Sequence, residues 1–327
     1  MGGNVNIVSV ENNQAALSGQ FISKFIGDIT REEWKDGRKK YLGGSESFAL
    51  VADSIGCSYK WDTPYTLFCK KSLGINLVKT NSDMLRGIER ESQIMQELRD
   101  MGHEVYSVPY LFTDKEFDFL AANIDGVEKE GQEVFGIEIK SVRTFDGWSH
   151  GVPDNYYNQC QHYMMILGTQ KHRIIADCNA EKKIVDIARH DQYIGLLKEK
   201  CIEFWENNVV QGIAPQLAYC DIEKAYVDFL NKDFEEGFLD IPEEQELARE
   251  YLMLKEKEKE IKESVDALSL RIKSLIGNKQ GAFFGDIKAN YIRVEKDSFD
   301  MEKFKEDHPD LFAAYIKKSS FTQLRVK

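Results

Sequence analysis

The sequence has no long hydrophobic run that could cross a membrane. No segment approaches the ~18 consecutive apolar residues that a membrane-spanning helix needs. Its first residues, Met1-Gly2-Gly3-Asn4, lack both the basic segment and the apolar core of a secretion signal. We therefore expect a cytoplasmic chain without membrane contact.

Cysteine and histidine are also few and scattered. The 6 cysteines and 6 histidines form neither a C-x-x-C nor an H-x-x-x-H pair. Structural zinc sites and iron–sulfur clusters require such closely grouped ligands. The pattern predicts reduced thiols, histidines that pack or lie at the surface, and no metal site built from these two residue types.

Basic residues are outnumbered by acidic ones. The chain has 43 Lys and Arg against 55 Asp and Glu, which gives a formal net charge of −12. A chain of this charge does not coat nucleic acid by bulk electrostatics. Any contact with nucleic acid must therefore use a local basic patch.

The hydrophobic period changes along the chain and predicts an α/β core followed by an extension. We assign residues 31–220 to the core and 221–327 to the extension, and we leave residues 1–30 unassigned. Helical periods cover 45–56, 64 onward, 82–101, 153–167 and 193–205, and strand patterns cover 104–112, 119–127, 134–142, 172–178 and 183–189.

The extension opens with a long charged helix predicted over about residues 243–276. Apolar residues keep a 3/4 spacing that is broken only at Glu258. The stripe consists of Leu247, Tyr251, Leu254, Ile261, Val265, Leu268, Ile272 and Leu275. It indicates either a solvated helix docked on its own domain or a coiled-coil contact with another chain.

One strand collects charged side chains on a single face. Side chains alternate along a strand, so Glu138 and Lys140 share one face and Ile137 and Ile139 the other. By itself this pattern is also typical of an ordinary solvated face.

The preceding strand brings a second carboxylate to the same place. A hairpin link centred near Gly131 sets Asp125 beside Glu138 on the neighbouring strand. Two carboxylates this close are unfavourable without a cation between them, and hard oxygen ligands suit Mg²⁺, with Mn²⁺ as an alternative. Together with a lysine, this predicts phosphodiester hydrolysis.

Four sequence blocks, in order, resemble the lambda-type (YqaJ-like) phage recombination exonucleases of the PD-(D/E)xK nuclease superfamily. The resemblance covers about residues 31–210. The blocks are Trp34-x-x-x-Arg38 with Gly43-Gly44-Ser45, Gly87-x-x-x-Glu91, Asp125-Gly126 with Glu138-x-Lys140, and Tyr156-x-x-Gln159-x-Gln161-x-Tyr163-Met164. The fold it implies is a PD-(D/E)xK nuclease core, a central mixed β-sheet flanked by helices, with the C-terminal helical and hairpin extension added.

The resemblance also implies roles for particular residues. One metal ion would be bound by Asp125, Glu138 and the carbonyl of Ile139, and a second by Asp125 and Glu91, giving two Mg²⁺ ions per site. Lys140 and Gln159 would position the nucleophilic water. We also expect Gly87, one turn from Glu91, to let its helix approach the sheet or a substrate backbone.

By the same resemblance, Arg38 and Ser45 would bind the 5′ phosphate of a DNA end, a task suited to a planar bidentate donor and a helix N-terminus. The implied reaction is 5′ to 3′ degradation of one strand of linear double-stranded DNA, leaving 3′ tails. The local DNA grip would use Arg38, Lys39, Lys40, Lys70, Lys71, Arg86 and Arg90.

The resemblance further implies a single-strand annealing partner, a homo-oligomer such as a ring-forming trimer, and a phage or prophage origin in a bacterial cytoplasm. Two other functions stay open. The same core could serve a structure-specific or restriction-type endonuclease. Arg38 and Ser45 are the residues that would distinguish an exonuclease from such an enzyme. It could also serve a catalytically silent scaffold that binds DNA or a partner, although the intact Asp125, Glu138 and Lys140 argue against that.

Overall fold

The computed structural model describes residues 21–26, 30, 33, 36–78, 82–178, 181–233, 235–317 and 323–326. The chain divides into two compact units, Met1–Leu230 and Asn231–Lys327. The first unit therefore extends beyond residue 220, the end predicted for the core. Part of the unassigned segment 1–30 forms a strand, Phe21–Phe25, and residues 1–20 and 27–29 lie outside the described residues.

The described part of the first unit contains helices and strands in alternation. Its strands are β1 (Phe21–Phe25), β2 (Leu42–Gly43), β3 (Val105–Ser107), β4 (Tyr110–Asp114), β5 (Leu120–Ala122), β6 (Gly126–Glu130), β7 (Glu133–Ser141), β8 (Lys171–Cys178) and β9 (Glu181–Ala188). Its α-helices are α1 (Gly44–Val51), α2 (Pro64–Lys71), α3 (Ser82–Asp100), α4 (Asp154–Leu167), α5 (Asp191–Phe204) and α6 (Asp221–Leu230).

The central sheet has five strands in the order β3-β6-β7-β8-β9. β7 and β8 are parallel, and the other neighbours are antiparallel. A second sheet has the order β1-β4-β5-β2. The mixed central sheet with helices on its faces confirms the predicted fold class.

Two of the predicted strands are each divided between the two sheets. The pattern over 104–112 breaks after Ser107, where Pro109 cannot donate a backbone hydrogen bond, and it forms β3 and β4. The pattern over 119–127 breaks at 123–125 and forms β5 and β6. The prediction of single strands was wrong here, and the second break carries Asp125.

The hairpin of β6 and β7 has the predicted register. Gly126 pairs with Ile137, so Asp125, one residue earlier, comes level with Glu138. Gly131 in the link has a φ of 61°, a conformation that glycine adopts without strain.

β7 separates two differently packed faces of the central sheet. Ile137 and Ile139 pack against α3, in a buried cluster completed by Ile94, Met95, Leu98, Val105 and Ile175. The opposite face carries Gly136, Glu138 and Lys140 and is covered by α4, which reaches Glu138 through Gln159. The alternation predicted from the sequence therefore directs the charged side chains toward α4.

Gly136 makes room for a buried histidine on the neighbouring strand. Gly136 pairs with His172 of β8, and a Cβ atom at Gly136 would lie 2.3 Å from His172 Cε1. Burial lowers the pKa of His172 to about 3, so the ring is uncharged. The ring occupies the space next to Glu138 on this face of the sheet.

We expect Gly136→Ala to destabilise the fold by about 1–3 kcal/mol, because the added methyl group must displace a fully buried ring. Urea denaturation measures the change. Gly87→Ala is the control, since no atom of the described residues lies within 4 Å of a Cβ placed there. The destabilisation caused by Gly136→Ala should be smaller in a His172→Ala background. An unchanged destabilisation would show that the methyl group does not clash with the His172 ring.

The open space at Gly87 decides one of two alternatives. Among the described residues, nothing lies within 4 Å of the position of its missing Cβ, so this glycine does not serve a close approach of α3 to the sheet. Approach to a substrate backbone stays a prediction. The sequence pattern alone could not show how far the helix stands from its neighbours.

The second unit contains the long helix and a hairpin. Helix α7 (Gln245–Ile276) ends at Gly277, which has a φ of 62°. It is followed by strands β10 (Gly281–Phe284) and β11 (Ile287–Asn290), which pair antiparallel, and by helices α8 (Met301–Asp307) and α9 (Pro309–Tyr315). The helix bounds agree closely with the predicted 243–276.

In the described residues, no helix is both long enough and apolar enough to cross a membrane. The cysteines are all free thiols, and Cys69, Cys160 and Cys201 are buried.

Candidate functional site

Asp125, Glu138 and Lys140 meet at one end of the β6–β7 hairpin. Asp125 Oδ2 accepts a hydrogen bond of 2.6 Å from the backbone N–H of Ile139. Lys140 Nζ lies 2.5 Å from Glu138 Oε1. The predicted carboxylate and lysine constellation is therefore assembled by local strand pairing.

Glu138 is held by two donors and is only 3% exposed. Its Oε1 accepts from Lys140 Nζ and from Gln159 Nε2, the latter at 2.6 Å. Its Oε2 is buried and has no hydrogen-bond partner among the described residues. An unpartnered buried carboxylate oxygen is costly unless another group engages it.

Gln159 lies inside the protein, on the buried part of α4. Its amide nitrogen donates to Glu138 Oε1 and, at 2.8 Å, to Tyr163 Oη. Both amide hydrogens are thereby used, which leaves the amide oxygen of Gln159 as an acceptor.

Glu91 is the third carboxylate of the site. It lies on α3 and is half-buried. Burial and the charge of Asp125 raise its pKa to about 7, with Lys140 acting in the opposite direction. Glu91 therefore interacts electrostatically with Asp125 and Lys140.

Three carboxyl groups and the ammonium group of Lys140 influence one another electrostatically. Burial and Asp125 raise the pKa of Glu138 to about 8. Burial also raises the pKa of Asp125. Burial opposes the charged form of Lys140, but Glu138 and Asp125 outweigh it and raise the pKa of that lysine. The cluster therefore has excess negative charge that a cation would relieve.

The types of residue in this cluster suit a divalent ion, but their side chains do not form a complete coordination site. No set of three or more His, Cys, Asp or Glu side chains within the described ranges is arranged to hold a metal ion as it stands. The orphaned Glu138 Oε2 and the oxygens of Asp125 and Glu91 are the hard ligands that Mg²⁺ and Mn²⁺ prefer. The carbonyl of Ile139 stays a predicted ligand.

Arg38 and Ser45 lie together at the start of α1. Arg38 Nη2 donates to Ser45 Oγ at 3.3 Å and lies 3.2 Å from Glu46 Oε1. Lys71 Nζ bonds Glu46 Oε2 at 2.7 Å and the backbone oxygen of Arg38 at 2.8 Å. Burial opposes ionisation of Glu46, but Arg38 and Lys71 outweigh it and lower its pKa to about 2.

A glycine brings this helix start against α4. A Cβ atom at Gly44 would lie 2.8 Å from Tyr163 Cε1 and 3.1 Å from the backbone oxygen of Gln159. Only glycine allows that approach, which places Ser45 near the carboxylates. Packing against α4 thus explains the glycine at the centre of the Gly43-Gly44-Ser45 block, which the spacing of the block alone did not reveal.

One cleft of about 200 Å³ includes both groups of predicted residues. Its lining is formed by Arg38, Tyr41, Gly43, Gly44, Ser45, Glu46, Leu111, Ala121, Asn123, Asp125, Glu138, Lys140, Gln159 and Tyr163. Glu91 and Ile139 are not among these residues. Trp34, in the first sequence block, lies outside the described residues.

Three basic residues expected to grip DNA have structural partners instead. Lys70 pairs with Asp62 at 2.7 Å, and Lys71 is buried against Glu46. Arg90 pairs with Asp177 at 2.9 Å. The expectation was wrong for Lys71, because burial removes its ammonium group from the surface. Lys70 is half-buried, and its ammonium group is paired with Asp62. Lys39 and Lys40 are exposed.

Sequence reasoning missed Glu46, Tyr41 and Asn123. Glu46 follows Gly43 at the spacing of a helix cap, and its side chain does accept from the Gly43 N–H. That signal predicts a cap and does not reveal the pairing with Arg38. Tyr41 and Asn123 have no local pattern that separates them from loop residues.

The carboxylates, the lysine and the glutamine of α4 all lie within one segment that matches a family model. Residues 33–172 match the YqaJ-like viral recombinase domain. The match confirms the resemblance found in the sequence blocks and covers every predicted site residue.

Proteins similar to this chain include the uncharacterized protein YqaJ of Bacillus subtilis. The two sequences are 25% identical over 311 residues, covering 92% of this chain and 95% of the relative. An alkaline exonuclease (LHK-Exo) from Laribacter hongkongensis is similar with a TM-score of 0.45 and 19% identity, over 62% of this chain and 100% of that one. A phage related exonuclease from Haemophilus somnus has a TM-score of 0.40 and 14% identity, over 52% and 96% of the chains.

Proposed function

We propose that the chain is a divalent-metal-dependent 5′ to 3′ exonuclease that degrades one strand of linear double-stranded DNA and leaves 3′ single-stranded tails. The observation that carries the proposal is a shared cleft. Arg38 and Ser45 line the same cleft as Asp125, Glu138, Lys140 and Gln159, so one DNA end could contact both groups.

Asp125, Glu138 and Glu91 would hold Mg²⁺, with two ions per site and Mn²⁺ as a substitute. A bound divalent ion lowers the pKa of water and stabilises negative charge on a phosphoryl oxygen. Lys140 has three N–H donors, of which one bonds Glu138, and Gln159 keeps its amide oxygen as an acceptor. These two side chains are therefore able to orient the attacking water.

Arg38 supplies the end recognition. Its guanidinium is oriented by Glu46, which is itself held by Lys71. A planar donor fixed in this way matches a terminal phosphate better than a mobile cation does. The other charged groups of the cleft include carboxylates, which repel phosphate. The contact between Arg38 and the terminal phosphate would therefore also position the first phosphodiester bond in the cleft.

Linear and closed circular DNA test the proposal directly. Purified protein should digest 5′-end-labelled linear duplex only when Mg²⁺ is added and should leave a covalently closed circle intact. Nicking of the circle would support the endonuclease instead. Binding without cleavage of either substrate would support the silent scaffold.

The first expected result from a variant concerns Arg38. A charge-assisted bidentate contact contributes roughly 1.5–3 kcal/mol, or about one to two orders of magnitude in rate. Arg38→Ala should slow digestion of 5′-phosphorylated ends by about that factor and slow 5′-hydroxyl ends much less. Arg38→Lys should restore activity only in part, because a point charge lacks the planar fork.

Lys40→Ala is the matched control, since Lys40 is an exposed cation in the same short helical turn. It should leave the ratio of rates on phosphorylated and hydroxyl ends unchanged. Equal slowing on both ends by Arg38→Ala would make Arg38 a general backbone contact and would remove the local support for end recognition.

The proposal extends to the setting of the reaction. The product tails would be passed to a single-strand annealing protein during phage-type recombination in a bacterial cytoplasm. We propose assembly as a homo-oligomer, with a ring-forming trimer as the form to test by light scattering. These points rest on the YqaJ-like family match.

A further inference from the structure

Helix α7 carries a seam of apolar side chains that its own unit does not cover. Apart from Tyr251, which is half-buried, the exposed fractions of these side chains range from 38% to 65%. The seam consists of Leu247, Tyr251, Leu254, Ile261, Val265, Leu268, Ile272 and Leu275. Ile276 is the buried residue of the helix.

The seam follows a heptad repeat, the pattern of a coiled coil. Its steps alternate strictly between four and three residues from Leu247 to Leu275, with Glu258 filling one place. An apolar stripe that docks on a globular core is broader and follows the 3.6-residue period. The narrow seam is therefore suited to one partner helix.

The residue types indicate how many strands would associate. Taking Tyr251 as position a, the later a positions hold Glu258, Val265 and Ile272. The d positions hold Leu247, Leu254, Ile261, Leu268 and Leu275. β-Branched residues at a combined with leucine at d favour a parallel two-stranded coiled coil.

The charges beside the seam argue against a second copy as the partner. Lys257 occupies position g, and in a parallel pair it would face Lys262 at position e of the other copy. Glu258 would face Glu258 across the seam, two like charges in a partly desolvated place. Both juxtapositions oppose self-pairing.

The same charges fit a partner helix of opposite sign. The flanking positions e and g hold Lys255, Lys257, Lys262 and Arg271 against a single acid, Glu250. Lys255 already bonds Glu258 within the helix, which keeps that carboxylate charged. A complementary helix would have acidic flanks and a basic residue opposite Glu258.

We propose that α7 is a docking site for another protein, which contributes an amphipathic helix with acidic flanks and forms a parallel two-stranded coiled coil along the seam. The proposed interaction uses residues of the second unit, and none of them belongs to the proposed cleavage site, so the proposal does not depend on the proposed cleavage of DNA. It gives the second unit a role in recruiting a partner.

A designed peptide of four heptads tests the proposal with the full chain. The acidic peptide has Leu at d, Ile or Val at a, Glu at e and g, and one Lys at the a position opposite Glu258. The control peptide has Lys in place of each Glu. Fluorescence anisotropy should show binding of the acidic peptide at least about tenfold tighter than that of the control.

Matched leucine variants locate the binding face. Leu268→Asn removes a seam residue, whereas Leu270→Asn makes the same chemical change at an exposed residue of the same helix that lies outside the seam. We expect Leu268→Asn to weaken peptide binding by at least about tenfold and Leu270→Asn to leave it unchanged. Far-UV circular dichroism should give equal helix content for both variants.

A charge swap tests the register. A second acidic peptide has Glu where the first has its single Lys. Wild-type protein should prefer the Lys peptide, and Glu258→Lys should prefer the Glu peptide. Equal binding of both peptides by both proteins would overturn the assignment of Glu258 to the seam.

Four other outcomes would overturn the proposal. The acidic and control peptides could bind equally, or neither could bind. Light scattering could show a dimer of the full chain that Leu268→Asn dissociates, which would make the partner a second copy. Binding to anionic lipid vesicles that Leu268→Asn abolishes would identify a membrane surface instead.

Discussion

Glu138→Gln is expected to abolish DNA cleavage, by at least about three orders of magnitude, while leaving the fold intact. A neutral amide keeps the shape of the side chain but cannot replace a metal-ligating carboxylate. Asp125→Asn should behave in the same way. A gel assay on end-labelled linear duplex with Mg²⁺ measures the loss.

Glu133→Gln provides the matched control, because Glu133 is an exposed residue of the same strand, β7. It should cleave at the wild-type rate. Wild-type turnover by purified Glu138→Gln would remove the proposed site altogether.

Stability measurements give a readout of Glu138 without DNA. Its pKa of about 8 in the folded protein, against an ordinary value of 4.5, means that folded chains bind more protons than unfolded ones between these values. The free energy of unfolding of the metal-free protein should therefore fall as the pH rises through this range. In the Glu138→Gln variant the free energy of unfolding should depend less on pH. Added Mg²⁺ should stabilise this variant less than it stabilises the wild-type protein.

Lys140→Ala is expected to lower the cleavage rate by about 10²–10³-fold while retaining metal binding, because the proposed role of the lysine is to orient water and stabilise charge without being a metal ligand. Lys140 Nζ lies against Glu138 Oε1 and 5.3 Å from the Tyr156 ring, so the ammonium group is held in place before DNA binds. Single-turnover digestion at saturating Mg²⁺ measures the rate.

The shift in thermal unfolding temperature caused by Mg²⁺ measures metal binding in the same variant. Lys129→Ala is the control, since Lys129 is an exposed lysine on the adjacent strand, β6. If Lys140→Ala loses the Mg²⁺-induced shift together with the activity, the lysine supports the metal ligands and does not position water.

Local signals in the sequence determined the hairpin that carries the chemistry. The glycine link at Gly131 and strict alternation along β7 were enough to set Asp125 beside Glu138, and the register of the structure agrees. A two-strand register depends on turn geometry and on which face is apolar, and both are written in neighbouring residues. The helices that begin at Ser82, Asp154 and Gln245 were also predicted, because their apolar spacing is likewise a signal between neighbouring residues.

Tertiary structure alone decided how the other parts of the site converge. The division of the predicted strand 119–127 between two sheets depends on pairing with distant strands. The burial of Lys71 depends on Glu46, and the inward position of Gln159 depends on Glu138. None of these partners is close in sequence.

The physical difference lies in the range of the interactions. Hydrophobic period, turn chemistry and side-chain alternation act over a few residues, so the sequence by itself determined most elements and one carboxylate pair. Ion pairing, the close approach at Gly44 and the exposure of each cation depend on packing between elements far apart in the chain. Only the tertiary structure could therefore place Arg38 in the cleft of Glu138 and separate the exposed Lys40 from the buried Lys71.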